Sequence, residues 1–200
     1  MTATTSGSAT LNAPRRAMID SQLRVSGVNH ERVLAAMNMV PREDYVPAAA
    51  RGHAYIDRAI QLGGARALAA PLFHGMMLSE ALPQPGERVL VVTAGSGYLP
   101  ALVEAMGALV DSLDAADVLK AKRGAQGYDL ILIDGASEEL PGTLTAMLAE
   151  GGRIVTGLVL RGVTRLASGR KLGGTTQLLP LAEVGIPVLS EFARTKSWSF

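Results

Sequence analysis

Hydrophobic and polar positions divide the chain into a helical first part and a second part in which strands alternate with helices. In the first part, apolar residues recur at helical spacing in "RRAMIDSQLRVSG", "VNHERVLAAMNMV" and "PLFHGMMLSEAL", which predicts three helices. From Glu87 onward, strands are predicted at "RVLVV", "ALVDSL", "YDLILID" and "RIVTGLVL", and helices at "YLPALVEAM" and "LPGTLTAMLAEGG". This alternation is typical of parallel βαβ units in a sheet that is covered on both faces.

Residues at the ends of these segments sharpen the prediction. Asn29 suits the N-cap of the second helix, which Pro41 ends at Val40, and Pro71 suits the first turn of the third helix. Past residue 160 helical spacing stops. Three apolar segments separated by Gly-rich turns follow: "VTRLAS", "TTQLLPLAEV" and "IPVLSEF". They predict antiparallel strands that close one edge of the sheet.

Length and composition indicate one domain. The chain has 200 residues, of which 48% are hydrophobic, enough for one buried core. We therefore predict a single domain over residues 14–200, made of an N-terminal helical segment (14–84) and an α/β core (85–200). Residues 1–13 are mostly small and polar, so we expect a disordered leader there.

Charge and residue usage exclude several classes of protein. With 19 basic and 18 acidic side chains the net charge is +1, so no overall field attracts nucleic acid or a membrane surface. There is no cysteine, and the three histidines lack metal-ligand spacing. The sequence has no membrane span and no secretory signal pattern. We expect no metal, no nucleic-acid or membrane partner, and a cytoplasmic location.

The N-terminal half carries a resemblance to a known family. The run "MIDSQLRVSGVNHERVLAAMNMVPREDYVP", followed by "AYIDRAIQLGG" and later by "AGSGY", resembles the protein-L-isoaspartate O-methyltransferase family. The resemblance covers the chain from Met18 to about Gly152. It implies a seven-stranded Rossmann-like sheet, S-adenosylmethionine as cofactor, and methylation of the carboxyl group of isoaspartyl residues in damaged proteins or peptides.

The resemblance implies a cofactor loop after the first core strand. Four residues match the end of the family's Gly-x-Gly-Ser-Gly-Tyr sequence: Gly95, Ser96, Gly97 and Tyr98. Glycines let backbone approach a ligand closely, and the following helix offers free N–H groups. Val91 stands at the family's acidic position and Thr93 at its first glycine. Both interpretations stay open here, a ligand cradle and a plain strand-to-helix turn.

The next strand ends in a candidate for binding the ribose hydroxyls, Asp114, with Asp111 as a neighbour of the same chemistry; the alternative is a solvated carboxylate. Only residues 115–127 then separate Asp114 from the strand "YDLILID", room for one helix and no further strand. Compared with the family, the chain lacks one βα unit at the sheet edge. An edge left bare in this way predicts self-association or coverage by the N-terminal segment.

In the family a Gly-x-Gly-Gln-Thr-Ile-Ser-Gln-Pro run presents hydroxyls to the transferred methyl and to the substrate. The matching stretch is "GGARALAAP", residues 63–71, where Ala67 and Ala69 replace the hydroxyls and Arg66 replaces the glutamine. An arginine can bind a carboxylate bidentately; the alternative for Arg66 is a solvated surface charge.

Asp134 follows the apolar strand "LILI", where ligands of open α/β sheets bind. It can serve as a base, as a pocket wall, or as a turn residue before Gly135. Glu138 and Glu139 suit the acidic first turn of the next helix.

Two hypotheses about function follow. The first is an S-adenosylmethionine-dependent protein carboxyl methyltransferase of the isoaspartyl type, with altered cofactor and active-site motifs. The second is a non-catalytic relative that serves as a binding or regulatory protein.

Overall fold

The chain begins with a helix that changes its winding twice. We analysed a computed structural model, which describes residues 6–121 and 127–194. Helix α1 spans Ser6–Met18 and continues through a π-helical turn, Ile19–Leu23, and a short 3-10 turn. Gly27 ends it in the left-handed region, with φ 90°. The backbone is thus helical within part of the segment 1–13; whether that segment is a disordered leader in solution stays a prediction.

Helices α2 and α3 confirm two further predictions. Helix α2 spans Glu31–Met39, and extended backbone at Val40 ends it before the proline. Its N-cap is His30 rather than Asn29, so the predicted cap was wrong by one residue. Helix α3 spans Pro71–Ala81 with the proline in its first turn.

Between α2 and α3 lies a region that the hydrophobic pattern did not predict. Two 3-10 turns, Arg42–Tyr45 and Ala48–His53, lead into a hairpin of β1, Ile60–Gly63, and β2, Arg66–Leu68. The hairpin turns at two glycines with positive φ, 118° and 58°, which residues with a side chain rarely adopt. The hairpin positions Arg66 and Ala67 for the site described below.

The rest of the chain forms a six-stranded sheet with helices between its parallel strands. The strands are β3 (Arg88–Thr93), β4 (Leu109–Asp114), β5 (Tyr128–Ser137), β6 (Leu148–Leu160), β7 (Val163–Leu172) and β8 (Thr175–Glu183). The helices are α4 (Tyr98–Ala105), α5 (Ala115–Val118) and α6 (Gly142–Met147). The order across the sheet is β4-β3-β5-β6-β7-β8, parallel from β4 to β6 and antiparallel beyond. The predicted α/β Rossmann-like sheet, with antiparallel strands at one end, is confirmed.

Two apolar layers cover the parallel strands, one on each face. Along β3, Val89 and Val91 face the layer that contains the N-terminal helices, whereas Leu90 and Val92 face the opposite layer. This alternation follows from the two-residue period of a strand. The N-terminal helices therefore share one core with the sheet.

The connection after β4 contains one short helix, α5, and no strand within its described residues, 115–121. Residues 122–126 of the predicted connector lie outside the described part. Strands β4 and β5 are not neighbours, because β3 lies between them and pairs with both. Strand β4 is the edge strand and exposes Leu109. Self-association through this edge stays a prediction, which sedimentation velocity can test.

The C-terminal segment "IPVLSEF" is not a strand of the sheet, contrary to our prediction. Val188 makes one isolated parallel bridge to Ala136, and a 3-10 turn follows at Ser190–Phe192. The segment crosses the carboxyl end of β5 instead of extending the antiparallel edge. This placement brings it to the candidate site.

Within residues 6–121 and 127–194, no helix is both long and apolar enough to cross a bilayer. The same residues contain no group of three or more acidic or histidine side chains arranged to hold a metal ion. The cytoplasmic location stays a prediction.

Candidate functional site: a cleft closed by an arginine between two carboxylates

The candidate site lies at the carboxyl ends of the parallel strands, where ligands bind in open α/β sheets. Thr93 at the end of β3 is in register with Asp114 at the end of β4. The turn after β3 contains Gly95, Ser96 and Gly97, and helix α4 begins directly after it. The fold thus brings the predicted glycine turn and the predicted ribose-binding aspartate to one edge.

The glycine turn is shaped partly by its own side chains. Gly95 has φ 87°, and a Cβ there would lie 3.3 Å from the Arg66 Cβ and Cγ atoms, so the arginine stem passes closely over the turn. The Ser96 hydroxyl accepts a hydrogen bond from the N–H of Tyr98, the first residue of α4, at 3.2 Å. Ser96 therefore turns toward the helix rather than toward the cleft.

The Tyr98 side chain lies inside the core. It is fully buried, its ring centroid is 5.4 Å from those of Tyr45 and His74, and the Arg42 guanidinium lies 5.1 Å from the ring centre. Burial raises the pKa of Tyr98 to about 12, although the nearby Arg42 charge acts in the opposite direction. The Tyr98 side chain is therefore not available to a ligand in the cleft.

Arg66 connects the glycine turn to two carboxylates. Its Nη2 atom lies 2.8 Å from Asp114 Oδ1 and 2.8 Å from Glu191 Oε1. Asp114 Oδ1 also accepts a hydrogen bond from the Ala116 N–H at 2.9 Å, capping α5. The side chain of Arg66 is 25% exposed, so the alternative of a solvated surface charge is wrong.

Two cavities next to Arg66 share part of their lining. The cleft between the hairpin and the C-terminal segment, which includes Arg66, Ala94 and Glu191, has a volume of about 20 Å³. A second cavity of about 640 Å³ lies between the region of residues 57–72 and residues 183–187. Both are lined by Ala67 and Pro187, so these two residues form the wall between a nearly filled cleft and an open cavity.

Ala67 and Ala69, which we predicted to replace hydroxyl residues of the family, have different surroundings. Ala67 lies on the wall between the cavities. Ala69 is fully buried in the apolar layer, and its carbonyl oxygen accepts a hydrogen bond from Arg42 Nη2 at 2.6 Å. Only position 67 faces the space where a substrate would enter.

Asp134 belongs to a buried polar cluster. It lies within β5, is 1% exposed, and its Oδ1 atom is 2.8 Å from His74 Nε2. The other ring nitrogen, His74 Nδ1, is 3.3 Å from Arg42 Nη1. If Nδ1 accepts from Arg42, then Nε2 carries the proton and donates to Asp134. Asp134 is therefore neither a turn residue nor a wall of either cavity, and the interpretation as an accessible base is wrong.

Arg42 is the charged centre of this cluster. It is fully buried and also donates through Nε to the Ala54 carbonyl at 2.7 Å. Burial lowers its pKa, while Tyr98 and Asp134 act to raise it. Sequence patterns did not indicate the Arg42–His74–Asp134 cluster, because its members come from three separate elements.

Other predicted residues are placed away from the cleft. Val91 is buried in the middle of β3. Asp111 accepts a hydrogen bond from the Tyr128 hydroxyl at 2.7 Å; burial and this contact raise the pKa of Tyr128 to about 12. Glu138 and Glu139 precede α6 rather than forming its first turn, and their backbone N–H groups donate to the Phe192 carbonyl.

The fold is that of the Rossmann-like methyltransferases, and the candidate cleft lies at the carboxyl ends of its parallel strands. A sequence profile described as protein-L-isoaspartate(D-aspartate) O-methyltransferase matches residues 13–112. The protein-L-isoaspartate O-methyltransferase of Roseiflexus castenholzii is 32% identical over 206 residues, covering 90% of this chain and 94% of that protein. The enzyme of the same name from Methanoculleus marisnigri is 31% identical, covering 89% and 92%. The chain belongs to the protein-L-isoaspartate O-methyltransferase family.

Solved structures agree on the fold. A crystal structure from Plasmodium falciparum, described as a putative protein-L-isoaspartate O-methyltransferase in complex with S-adenosyl-L-homocysteine, superposes with a TM-score of 0.71 at 20% identity. It covers 88% of this chain and 98% of that one. At this identity the likeness supports the fold alone.

Proposed function

We propose that this protein transfers a methyl group from S-adenosylmethionine to the free carboxyl group of L-isoaspartyl residues in damaged proteins. The observation that carries the proposal, in a chain of this family, is the glycine turn at Gly95–Gly97 beside Asp114 on the carboxyl edge of the sheet. Bound S-adenosylmethionine supplies an electrophilic methyl group on a positively charged sulfur.

The charges of the cleft suit a cationic cofactor. Asp114 and Glu191 contribute two negative charges, and Arg66 contributes one positive charge. The surplus negative charge favours a cation over an anion. Asp114 Oδ1 is occupied by Arg66 and by the Ala116 N–H, which leaves Oδ2 for a ribose hydroxyl, but the Arg66 stem lies over the glycine turn and the cleft has a volume of only about 20 Å³. Cofactor binding therefore includes a displacement of Arg66.

The acceptor group needs orientation rather than a general base. A free α-carboxyl group has a pKa of about 3.3–3.7 and is ionised at neutral pH, so it is already nucleophilic. Because the reaction needs no general base, the buried position of Asp134 is compatible with it. The protein's task is to bring the carboxylate and the methyl group together.

The substrate's route follows from the larger cavity. Its volume of about 640 Å³ and its lining of Arg58, Gln61 and Leu72 suit a peptide segment. Because this cavity shares Ala67 and Pro187 with the cleft, a carboxylate entering from it approaches the cofactor site at Ala67.

A specific observation favours the second candidate, a non-catalytic binding or regulatory protein. The cleft has a volume of only about 20 Å³, and the Arg66 stem lies 3.3 Å from the ideal Cβ position of Gly95. If Arg66 remains in this position, no cofactor enters.

Calorimetry and a transfer assay separate the two candidates. S-adenosylmethionine and S-adenosylhomocysteine are titrated into the protein, and label transfer from the cofactor is measured to an isoaspartyl peptide and to its aspartyl counterpart. We expect binding and transfer to the isoaspartyl peptide alone. A folded protein that binds neither cofactor form would reject the methyltransferase proposal and favour the non-catalytic one.

A further inference from the structure

Arg66 uses its hydrogen-bonding capacity in an unusual way. One atom, Nη2, contacts both Asp114 and Glu191 at 2.8 Å, while Nη1 is buried and has no hydrogen-bond partner among the described residues. A guanidinium binds a single carboxylate most strongly through two parallel N–H···O bonds. Arg66 therefore keeps a buried donor available for a carboxylate that would engage both nitrogens.

Glu191 reaches Arg66 on a segment that is firmly attached to the sheet. Ala136 N–H donates to the Pro187 carbonyl, and Leu189 N–H donates to the Ala136 carbonyl, both at 2.8 Å. Leu189 and Phe192 are buried in the apolar layer. With its backbone and apolar side chains fixed in this way, the segment presents the Glu191 carboxylate to the cleft.

The carboxylate of Glu191 has few other interactions. Apart from Arg66, its described contact is a hydrogen bond from the adjacent Ser190 hydroxyl at 3.3 Å. The side chains of Arg66 and Glu191 are 25% and 23% exposed. An ion pair with this exposure exchanges partners at small cost, because water solvates whichever group is released.

We propose that Arg66 binds the carboxylate of the substrate and that Glu191 holds the same position in the unliganded protein. This inference rests on the proposed function. Arg66 precedes Ala67 on the wall between the two cavities, and its stem lies over the glycine turn. Arg66 is thus a cationic side chain that lines the cleft directly beside the wall to the larger cavity.

Two exchanges then prepare the site. Cofactor binding displaces Arg66 from Asp114, and the substrate carboxylate takes the place of Glu191. Freed from both, the guanidinium binds the incoming carboxylate through Nη1 and Nη2. Because Glu191 competes with the substrate, the apparent affinity is reduced by the fraction of protein in which Arg66 is free.

The test measures peptide binding without transfer. An isoaspartyl peptide and its aspartyl counterpart are titrated into the protein by calorimetry, with and without S-adenosylhomocysteine. The variants are Arg66→Gln, Arg66→Lys, Glu191→Gln and the double variant Arg66→Gln/Glu191→Gln. Glu31→Gln is the matched control, since Glu31 also pairs with an arginine, Arg24 at 3.4 Å, but far from the cleft on α2. Thermal unfolding verifies that each variant is folded.

We expect Arg66→Gln to weaken binding of the isoaspartyl peptide about tenfold or more, the usual effect of losing hydrogen bonds to a charged group. Arg66→Lys should weaken peptide binding less, because lysine keeps the positive charge but lacks the two parallel N–H donors of the guanidinium. Glu191→Gln should strengthen binding severalfold, and this gain should disappear in the double variant. Glu31→Gln should bind as the parent protein does.

The possible failures are distinct. If the parent protein prefers the isoaspartyl peptide but Arg66→Gln or Glu191→Gln binds it equally well, the inference is overturned and the proposed function stands. If neither the parent nor any variant distinguishes the two peptides, the proposed function and the inference both fall.

Discussion

Two of the protein's arginine clusters, one around Arg42 and one around Arg66, use the same kinds of group in different surroundings. Arg42, His74 and Asp134 are at most 1% exposed, and Arg42 spends its donors on two backbone carbonyls and the histidine ring. Arg66 and its two carboxylate partners, in contrast, keep about a quarter to a third of their side-chain surface in water. Removing Arg42 or Asp134 leaves the other charge buried without its counterpart. In the Arg66 cluster, water can solvate the group that remains.

The two clusters are connected through one short segment. Arg66 begins β2, and three residues later the Ala69 carbonyl accepts a hydrogen bond from Arg42. The buried cluster therefore holds the strand from which Arg66 projects. Buried Arg42 therefore supports the fold, whereas part-exposed Arg66 can exchange partners.

The largest expected effect comes from removing the buried charge. Arg42→Met should lower the free energy of unfolding by about 3–5 kcal/mol, because Asp134 then remains buried without its cationic counterpart. Urea unfolding followed by circular dichroism measures the change. Arg24→Met, at an exposed ion pair, is the control and should change stability by less than about 1 kcal/mol. Equal effects of the two substitutions would contradict the contrast between the clusters.

Asp134→Asn should have the next largest effect. The amide oxygen can still accept a hydrogen bond from His74 Nε2, but the negative charge that balances Arg42 is lost. We expect a loss of about 1–3 kcal/mol, measured by the same unfolding experiment. Asp117→Asn, at the exposed pair with Lys120, provides the control. A stabilised Asp134→Asn variant would indicate that the buried charges cost more than they contribute.

A third arginine pair, Arg153 with Glu87, has intermediate exposure, 22% and 11%. Burial acts to raise the pKa of Glu87, but hydrogen bonds from Arg153 and the Gln84 N–H outweigh it, so the pKa is lowered. A lowered pKa in the folded state stabilises the protein above the unfolded value, about 4.3, and this contribution disappears as the pH falls through the folded value.

Glu87→Gln should therefore lower stability at neutral pH, by about 1 kcal/mol, and the difference from the parent should shrink as the pH falls below about 4. Unfolding midpoints between neutral and acidic pH measure this trend. A difference that stays constant over the whole range would show that the charge of Glu87 contributes nothing.

Arg66→Gln should change stability far less than Arg42→Met, by less than about 1 kcal/mol, but it should change ligand affinity. With Asp114 released, S-adenosylhomocysteine should bind up to about fivefold more tightly. Calorimetry measures the affinity and urea unfolding the stability. Weaker binding of S-adenosylhomocysteine would mean that Arg66 helps to hold the cofactor instead of excluding it.

The smallest effect on cofactor affinity is expected from restoring hydroxyls. Ala67→Thr with Ala69→Ser adds one hydroxyl at the wall between the cavities and one inside the apolar layer, and neither removes Arg66 from the glycine turn. We expect cofactor affinity to change less than about twofold, under 0.5 kcal/mol, and no gain of transfer to an isoaspartyl peptide. Faster transfer than that of the parent protein would show that the hydroxyls, rather than cofactor entry, limit activity.

The hydrophobic pattern predicted the sheet and most helices, because continuous apolar runs such as residues 130–133 have few alternatives to a buried strand. It missed the β1–β2 hairpin, whose strands have three or four residues and no clear alternation. It also misplaced "IPVLSEF", since an apolar run does not reveal whether it pairs in a sheet or covers one.

The contacts of the site were less accessible to sequence reasoning. The resemblance pointed to Asp114 and to the glycine turn, and the fold does bring them together. His74 and Asp134 lie 60 residues apart in the chain, and Glu191 meets Arg66 only because the C-terminal segment crosses the end of β5. Such pairings depend on how separate elements pack against each other, and the hydrophobic and polar pattern along the chain does not determine that packing.

The contact between the C-terminal segment and β5 offers a way to engineer an open form of the protein. Gly135 lies directly beneath this segment, and a Cβ added there would be 2.6 Å from Leu189 Cγ. Any side chain at position 135 must therefore displace Leu189 and loosen the C-terminal segment that carries Glu191. Alanine at this position would act as a wedge, opening the cleft while Arg66, Asp114 and Glu191 all remain present.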